Sequence, residues 1–350
     1  MPIVRLSGTV TGSHDPNREM RARMLYQLFA SGWDIDNSNG DQRITLSNIE
    51  AKILASDAFV FMPGASLEDL FKAVSIFVGY QTLDPNLKGK AAVILNSDHS
   101  WTPLFDLLGE LQRLGTIHQN YREFLLMADE PKSVLAHLEK VMQEGIPDAG
   151  RKRIHVQPTD SFETPLPADN RGSVCVFCSA SIRDENYIED GYRLGQLLAE
   201  NKYGCVSGAG TTGVMGSVVR GSVDAGGWTG GSNVPHIIEI EGLPDGLSSF
   251  WLRPDIYTRM EVMIERSEAF VIFPGGSGTV QEMLALLIFK QTGNALMQGK
   301  PVIVFNRKDE RTGVRFWDKL LALLEPWCDE DLFVVVNELD EIIPTVERLV

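Results

Sequence analysis

Apolar and polar positions along this chain alternate in two rhythms. Short apolar runs alternate with longer stretches that place an apolar residue every three or four positions, which reads as strands alternating with amphipathic helices. In the later half the runs at 173–179, 203–207, 237–240, 269–273, 301–305 and 333–336 predict strands. Stretches 186–200, 213–224, 255–267, 279–291, 314–324 and 339–349 predict helices, the last with a break at Pro344. The earlier half opens with a strand at 3–6 and a helix at 18–30. This alternation predicts an α/β fold of parallel sheets flanked by helices, with ligands beyond the carboxyl ends of the strands.

The pattern occurs twice. Ser56-Asp-Ala-Phe-Val-Phe-Met-Pro-Gly-Ala-Ser66 returns as Ser267-Glu-Ala-Phe-Val-Ile-Phe-Pro-Gly-Gly-Ser277, and Gly89-Lys-Ala-Ala-Val-Ile-Leu-Asn96 as Gly299-Lys-Pro-Val-Ile-Val-Phe-Asn306. Two matches at nearly one offset imply a duplicated domain. The expected organisation is two tandem Rossmann-like domains at 1–145 and 173–350, joined by a proline-rich connector at 146–172.

Within the second copy, Phe273-Pro-Gly-Gly-Ser-Gly-Thr-Val-Gln-Glu282 runs from strand through glycine turn to helix. Gly275, Gly276 and Gly278 can take positive φ and let backbone N–H groups gather round an anion at the helix start, with Ser277 and Thr279 adding hydroxyls. Glu282 lies about one turn into that helix. It either does chemistry beside a bound phosphate or closes a capping box with Thr279. Ser66 and Asp69 offer a similar cap in the first copy, which lacks the second and third glycines and the threonine. A second glycine-rich turn, Ser207 to Gly216, follows another strand and has no counterpart in the first copy. It offers Gly208, Gly210, Thr211, Gly213 and Met215 to the same cleft, or serves only close helix–sheet packing. Arg259 stands where the first copy has Asn48. It is a candidate for substrate binding, with an ion pair to Asp255 as the bland alternative. On this reading the second copy binds the ligand and the first has lost that ability.

The 350 residues carry a net charge of −15, which disfavours a nucleic-acid backbone as partner. No apolar run approaches the ~20 residues of a membrane span. The start of the chain has no signal-peptide layout, and four cysteines make no disulfide framework, so a cytoplasmic home is expected. Cys175 and Cys178 read as buried thiols on one strand, not a redox or zinc pair. The histidines, His14, His99, His118, His137, His155 and His236, show no metal-ligand spacing, and no metal or cofactor is expected.

These residues carry a family resemblance. From about Ser173 to Val350 the chain resembles the Lonely Guy (LOG) family of nucleoside 5′-monophosphate phosphoribohydrolases, once labelled lysine decarboxylase-like. The family hallmark Pro-Gly-Gly-x-Gly-Thr-x-x-Glu stands complete as Pro274, Gly275, Gly276, Gly278, Thr279 and Glu282. Its opening strand is matched by Val174-Cys-Val-Phe-Cys-Ser-Ala-Ser181, which brings Ser179 to the site. Its second glycine motif is matched by Gly208-Ala-Gly-Thr-Thr-Gly-Val-Met-Gly216. The chain departs at Ala209 and at Met260, where the family has lysine after the arginine. The form Pro254-Asp-Ile-x-x-Arg259 is closer to the bacterial nucleotide nucleosidase branch. The resemblance implies hydrolysis of an AMP-like nucleotide to free base and ribose 5-phosphate, with Glu282 and Arg259 as catalytic residues and no cofactor. It also implies a homo-oligomer, or a pseudo-dimer of the two copies within one chain. A non-catalytic nucleotide sensor remains the alternative. Lysine decarboxylation would need a Schiff-base lysine, and the motif segments contain none.

Overall fold

The computed structural model describes residues 1–8, 15–36, 46, 53–154, 156, 159–329 and 331–350. The chain forms two compact units: residues 1–112 with 118–151, and residues 113–117 with 152–350.

Unit 1 runs β1 (Ile3–Ser7), α1 (Arg18–Ala30), β2 (Asp34–Asp36), β3 (Ala58–Phe61), α2 (Leu67–Gln81), β4 (Ala91–Leu95), α3 (Thr102–Arg113), β5 (Leu125–Ala128) and α4 (Pro131–Glu144). Its sheet has the order β2-β1-β3-β4-β5, every pair parallel. Val4, Val60 and Val93 meet Met24, Leu28 and Leu138 in a closed core.

Unit 2 runs β6 (Ser173–Phe177), α5 (Glu185–Glu200), β7 (Gly204–Ser207), α6 (Gly213–Asp224), β8 (Thr229–Asn233), α7 (Pro235–Glu241), β9 (Ser249–Leu252), α8 (Ile256–Glu265), β10 (Ala269–Ile272), α9 (Ser277–Gln291), β11 (Val302–Phe305), α10 (Asp318–Leu324), β12 (Val334–Val336) and α11 (Ile342–Leu349). Its seven-stranded parallel sheet has the order β12-β11-β10-β6-β7-β8-β9. The chain starts at β6, builds outward through β7 to β9, then crosses to β10 on the other side. The carboxyl ends of β6 and β10 therefore flank a topological switch point, where doubly wound sheets open a ligand crevice. The register Phe270↔Cys175 and Ile272↔Phe177 holds the two ends level. Both strands are fully buried, which explains their unbroken apolar runs.

Some elements differ from the expectation. Residues 237–240 are helical, not a strand: Pro235 at the first helical position starts α7, and Gly242 at φ 74° ends it. Strands β8 and β9 lie outside the apolar runs. In β8 the sequence is Thr-Gly-Gly-Ser-Asn, wholly buried. A Cβ on Gly230 would come 2.7 Å from Trp228 and 2.8 Å from Trp251, so bulk around the strand replaces bulk on it. α10 begins at Asp318 because 309–316 fold back through a Lys308↔Arg315 bridge. The break near Pro344 comes before the proline. A 3₁₀ turn, Leu339–Glu341, gives way to α11, and Pro344 sits in its first turn, where a missing N–H costs nothing. Along the proline-rich connector, residues from Lys152 onward group with unit 2. Phe162 bridges Phe250 of β9, and Thr164 accepts a hydrogen bond from Trp228 Nε1 at 2.9 Å.

Candidate functional site

The hallmark turn follows β10 and opens α9. Its N-cap is Gly276, which has no side chain to cap the helix, and a Cβ there would come 3.2 Å from Thr116 O. The capping box, the alternative role for Thr279 and Glu282, does not form, because Thr279 lies inside the helix. Gly275, Gly276 and Gly278 do not use their freedom of positive φ: none of them is among the left-handed glycines. At Gly275 the missing side chain permits close approach. A Cβ on Gly275 would meet Thr279 Oγ1 at 2.1 Å, while one on Gly278 would point into open space. Ser277 and Thr279 are both buried.

Glu282 lies in the second turn of α9 and is only 7% exposed. Burial pushes its carboxyl up to about 8; the Arg259 guanidinium pulls it down and Glu241 pushes it further up. Arg259 is 8% exposed, which excludes a surface ion pair. Asp255 does not pair with it. Asp255 caps α8 instead, accepting the N–H groups of Tyr257 and Thr258 at 2.8 Å. Arg259 donates from Nε to Ser232 O at 2.9 Å and from Nη2 to Gly208 O at 3.2 Å. The guanidinium is thus fixed between the ends of β7 and β8, within electrostatic reach of Glu282. Any Cβ on Gly208 would lie 2.0 Å from Nη2, so the glycine makes room for the arginine.

The second glycine turn follows β7. Gly213 has φ 62°, and a Cβ there would strike Ala180. Ala209 holds the left-handed region at φ 54°. Gly210 donates its N–H to Met215 Sδ at 3.1 Å. Thr211 is turned away to α7, giving its N–H and Oγ1–H to Glu241 O at 3.1 and 2.5 Å. Ser179, beyond the end of β6, accepts the N–H groups of Ser181 and Ile182 and shapes that loop. The fold thus sets Arg259 against Gly208 and within electrostatic reach of Glu282, while Thr211 and Ser179 are spent on local turns. Sequence reading missed Ser232 and Glu241, both in a region whose elements it assigned differently.

Cys175 and Cys178 are buried free thiols, held well above the ordinary thiol range by burial, with Glu282 adding to it. Among the described residues no group of three His, Cys, Asp or Glu could hold a metal. His14, His155 and Asn48 lie outside the described residues.

Unit 1 shows the same turn in another state. Counted from the N-caps, Ser66 matches Gly276, so the first copy's turn is one residue longer and Lys72 stands where Glu282 does. Ser66 and Asp69 close a capping box, and the N–H groups of Gly64 and Ala65 donate to Ser100 Oγ at 2.9 and 3.3 Å.

Residues 215–348 match a family model described as possible lysine decarboxylase. A cytokinin riboside 5′-monophosphate phosphoribohydrolase of Rhodococcoides fascians is 30% identical over 155 residues, covering 44% of this chain and 74% of that protein. The chain belongs to the LOG family. Its LOG portion is the later half. A phosphoribohydrolase of the same name from Mycobacterium tuberculosis is 29% identical over 174 residues, covering 48% of this chain and 90% of that protein. Among solved structures, the molybdenum cofactor binding protein of Rippkaea orientalis aligns at 20% identity and a TM-score of 0.39, over 52% of this chain and 98% of that one. The LOG hallmark, complete in unit 2, is the turn that opens α9. Among the described residues no helix is long and apolar enough to cross a membrane.

Proposed function

We propose that unit 2 hydrolyses the N-glycosidic bond of a nucleoside 5′-monophosphate, releasing free base and ribose 5-phosphate. The observation that carries this reading is one helix, α9, which presents an uncapped mouth at Gly276 and a buried carboxyl at Glu282. The mouth suits a phosphate, because backbone N–H groups and the helix dipole favour an anion there. The nucleotide relatives named above support the same substrate class.

In this mechanism the 5′-phosphate sits against Gly275–Thr279, where Ser277 and Thr279 line the first turn of α9. The ribose lies over Glu282. As the C1′–N bond breaks, its electron pair leaves with the base, and positive charge spreads over C1′ and the ring oxygen. Ionised Glu282 stabilises that charge and orients a water whose oxygen bonds to C1′. One water proton ends on the base and the hydroxyl on the sugar. Arg259, anchored by two backbone carbonyls, is pre-set as a fixed positive charge beside Glu282 and the substrate.

The test is incubation with AMP, GMP, CMP and UMP, followed by measurement of free base and ribose 5-phosphate. Glu282→Ala is expected to lower turnover by about 10² or more. Tight binding without base release would instead identify a sensor.

A further inference from the structure

The end of α9 away from the glycine turn borders a cavity of its own. It holds about 260 Å³ and lies where β11 and β12 begin, at the opposite edge of the sheet from the carboxyl ends of the strands. Met297, Val302, Phe333 and Leu349 give it apolar walls. Its charged groups are Lys290, Lys300 and Asp331. Lys300 is committed: its Nζ donates to Ile264 O at 2.8 Å near the end of α8, as Lys90 does to Ile53 O at 2.7 Å in unit 1. Lys290 is half-buried and pairs with no group among the described residues. Burial holds its ammonium below the ordinary lysine range. Asp331 is exposed, where water screens its charge. In a chain of net charge −15, the cavity joins a local excess of positive charge to apolar surface.

Unit 1 builds the same corner differently. Counted from the matching N-caps, Tyr80 stands where Lys290 does, and Gly89-Lys90 where Gly299-Lys300 does. Tyr80 is buried, packs on Phe124 with ring centroids 6.1 Å apart, and donates from Oη to Lys90 O at 2.7 Å. In unit 2 a flexible stem with a charged tip replaces that ring. The helix dipole favours an ammonium at this end of α9, but it does so equally in open water and calls for no apolar chamber.

We propose that this cavity binds a small organic monoanion, its carboxylate paired with Lys290 and its compact apolar body set against Val302 and Phe333. The bond from ammonium to carboxylate is charge-assisted, and the apolar walls strengthen it by limiting water. The volume falls below the ~300–1,000 Å³ of ordinary ligand pockets, so the occupant is a small one. Fifteen residues of α9, about 22 Å of helix, separate the site from the proposed phosphate mouth. Nothing in it depends on what unit 2 hydrolyses.

The experiment is a ligand-observed NMR titration of the full chain with benzoate. Benzamide serves as a neutral body of the same shape, and acetate as the charge without the body. Benzoate is expected to saturate and to bind about tenfold or more tighter than either control. Lys290→Met keeps the stem and removes the charge. It should weaken benzoate by about tenfold or more and leave benzamide within about twofold. Lys290→Tyr, which brings in the residue of the first copy, should fill the cavity and abolish binding of both. AMP should not displace benzoate. Displacement by AMP with full affinity in Lys290→Met would put the anion at the α9 mouth and overturn the proposal. Absence of saturation by benzoate, or equal affinity for benzamide, would overturn it too, and that comparison in wild type does not depend on how any variant folds.

Discussion

Glu282 is the residue on which pH should act most. Its carboxyl is raised to about 8 by burial, against the pull of Arg259 and with the push of Glu241. The buried thiols of Cys175 and Cys178 face the same charge. Between its ordinary value and about 8 the folded protein holds a proton that the unfolded chain has released, so stability falls as pH rises through that window. Thermal melts from pH 5 to 9 should therefore show wild type losing stability relative to Glu282→Gln, which has no proton to lose. A parallel decline in both proteins would remove the buried carboxyl as the cause. Catalysis should move the other way. If ionised Glu282 carries the reaction, kcat/KM rises with pH up to about 8, and the limb disappears in the residual activity of Glu282→Gln. Gly208 offers an independent check on Arg259. With only 2.0 Å between its would-be Cβ and Nη2, Gly208→Ala must shift the guanidinium, and base release should drop by about tenfold or more.

At the scale of elements, α9 separates fold from ligand. Gly278 has open space around its missing Cβ and no left-handed backbone, so Gly278→Ala should stabilise the helix by about 0.5–1 kcal/mol. If the glycine is there so that a phosphate can approach the backbone, the same variant should melt higher yet turn over more slowly. A higher melting temperature with full activity would sink the cradle. Gly275→Ala makes the contrast, because its methyl would overlap Thr279 Oγ1, and it should cost about 1–3 kcal/mol. The strands and helices that frame this turn were legible, since β6, β10 and β11 are buried on both faces and carry continuous apolar runs. What was illegible was built from small residues. β8 has no large side chain and is recognised only by the tryptophans that press on it. α7 hides three isoleucines in a segment too short to show helical periodicity, and Glu241 went unnoticed with it. Sequence alone does not distinguish a glycine kept for φ from one kept for contact, and Gly275 is of the second kind, since a Cβ there would meet Thr279 Oγ1 at 2.1 Å.

Taken as a whole, the molecule holds two strand–turn–helix segments of matching sequence, of which we propose that only the second takes an anion. The matching segments were legible in the sequence, but a contiguous alignment placed Ser66 against Ser277 and concealed the extra residue in the first turn. Counting from the helix starts puts Lys72 at the Glu282 position, where it pairs with Glu68 at 3.7 Å and Asp69 at 3.9 Å. The first turn's amides are already satisfied: Ser100 Oγ accepts from Gly64 and Ala65, and Asp69 accepts from the Ser66 N–H at 3.2 Å. A phosphate there would have to displace a serine hydroxyl and a carboxylate that is itself held by Ser7 Oγ. Exchanging one anion for another gains little, and the displaced Asp69 would then repel the newcomer. Calorimetric titration with AMP should accordingly give one site per chain. Ser100→Ala should leave both the stoichiometry and the rate of base release unaltered, whereas Gly278→Ala should weaken that single site. A second equivalent of nucleotide that persists in Gly278→Ala and vanishes in Ser100→Ala would mean that the first mouth is open after all, with Ser100 as its ligand and not its plug.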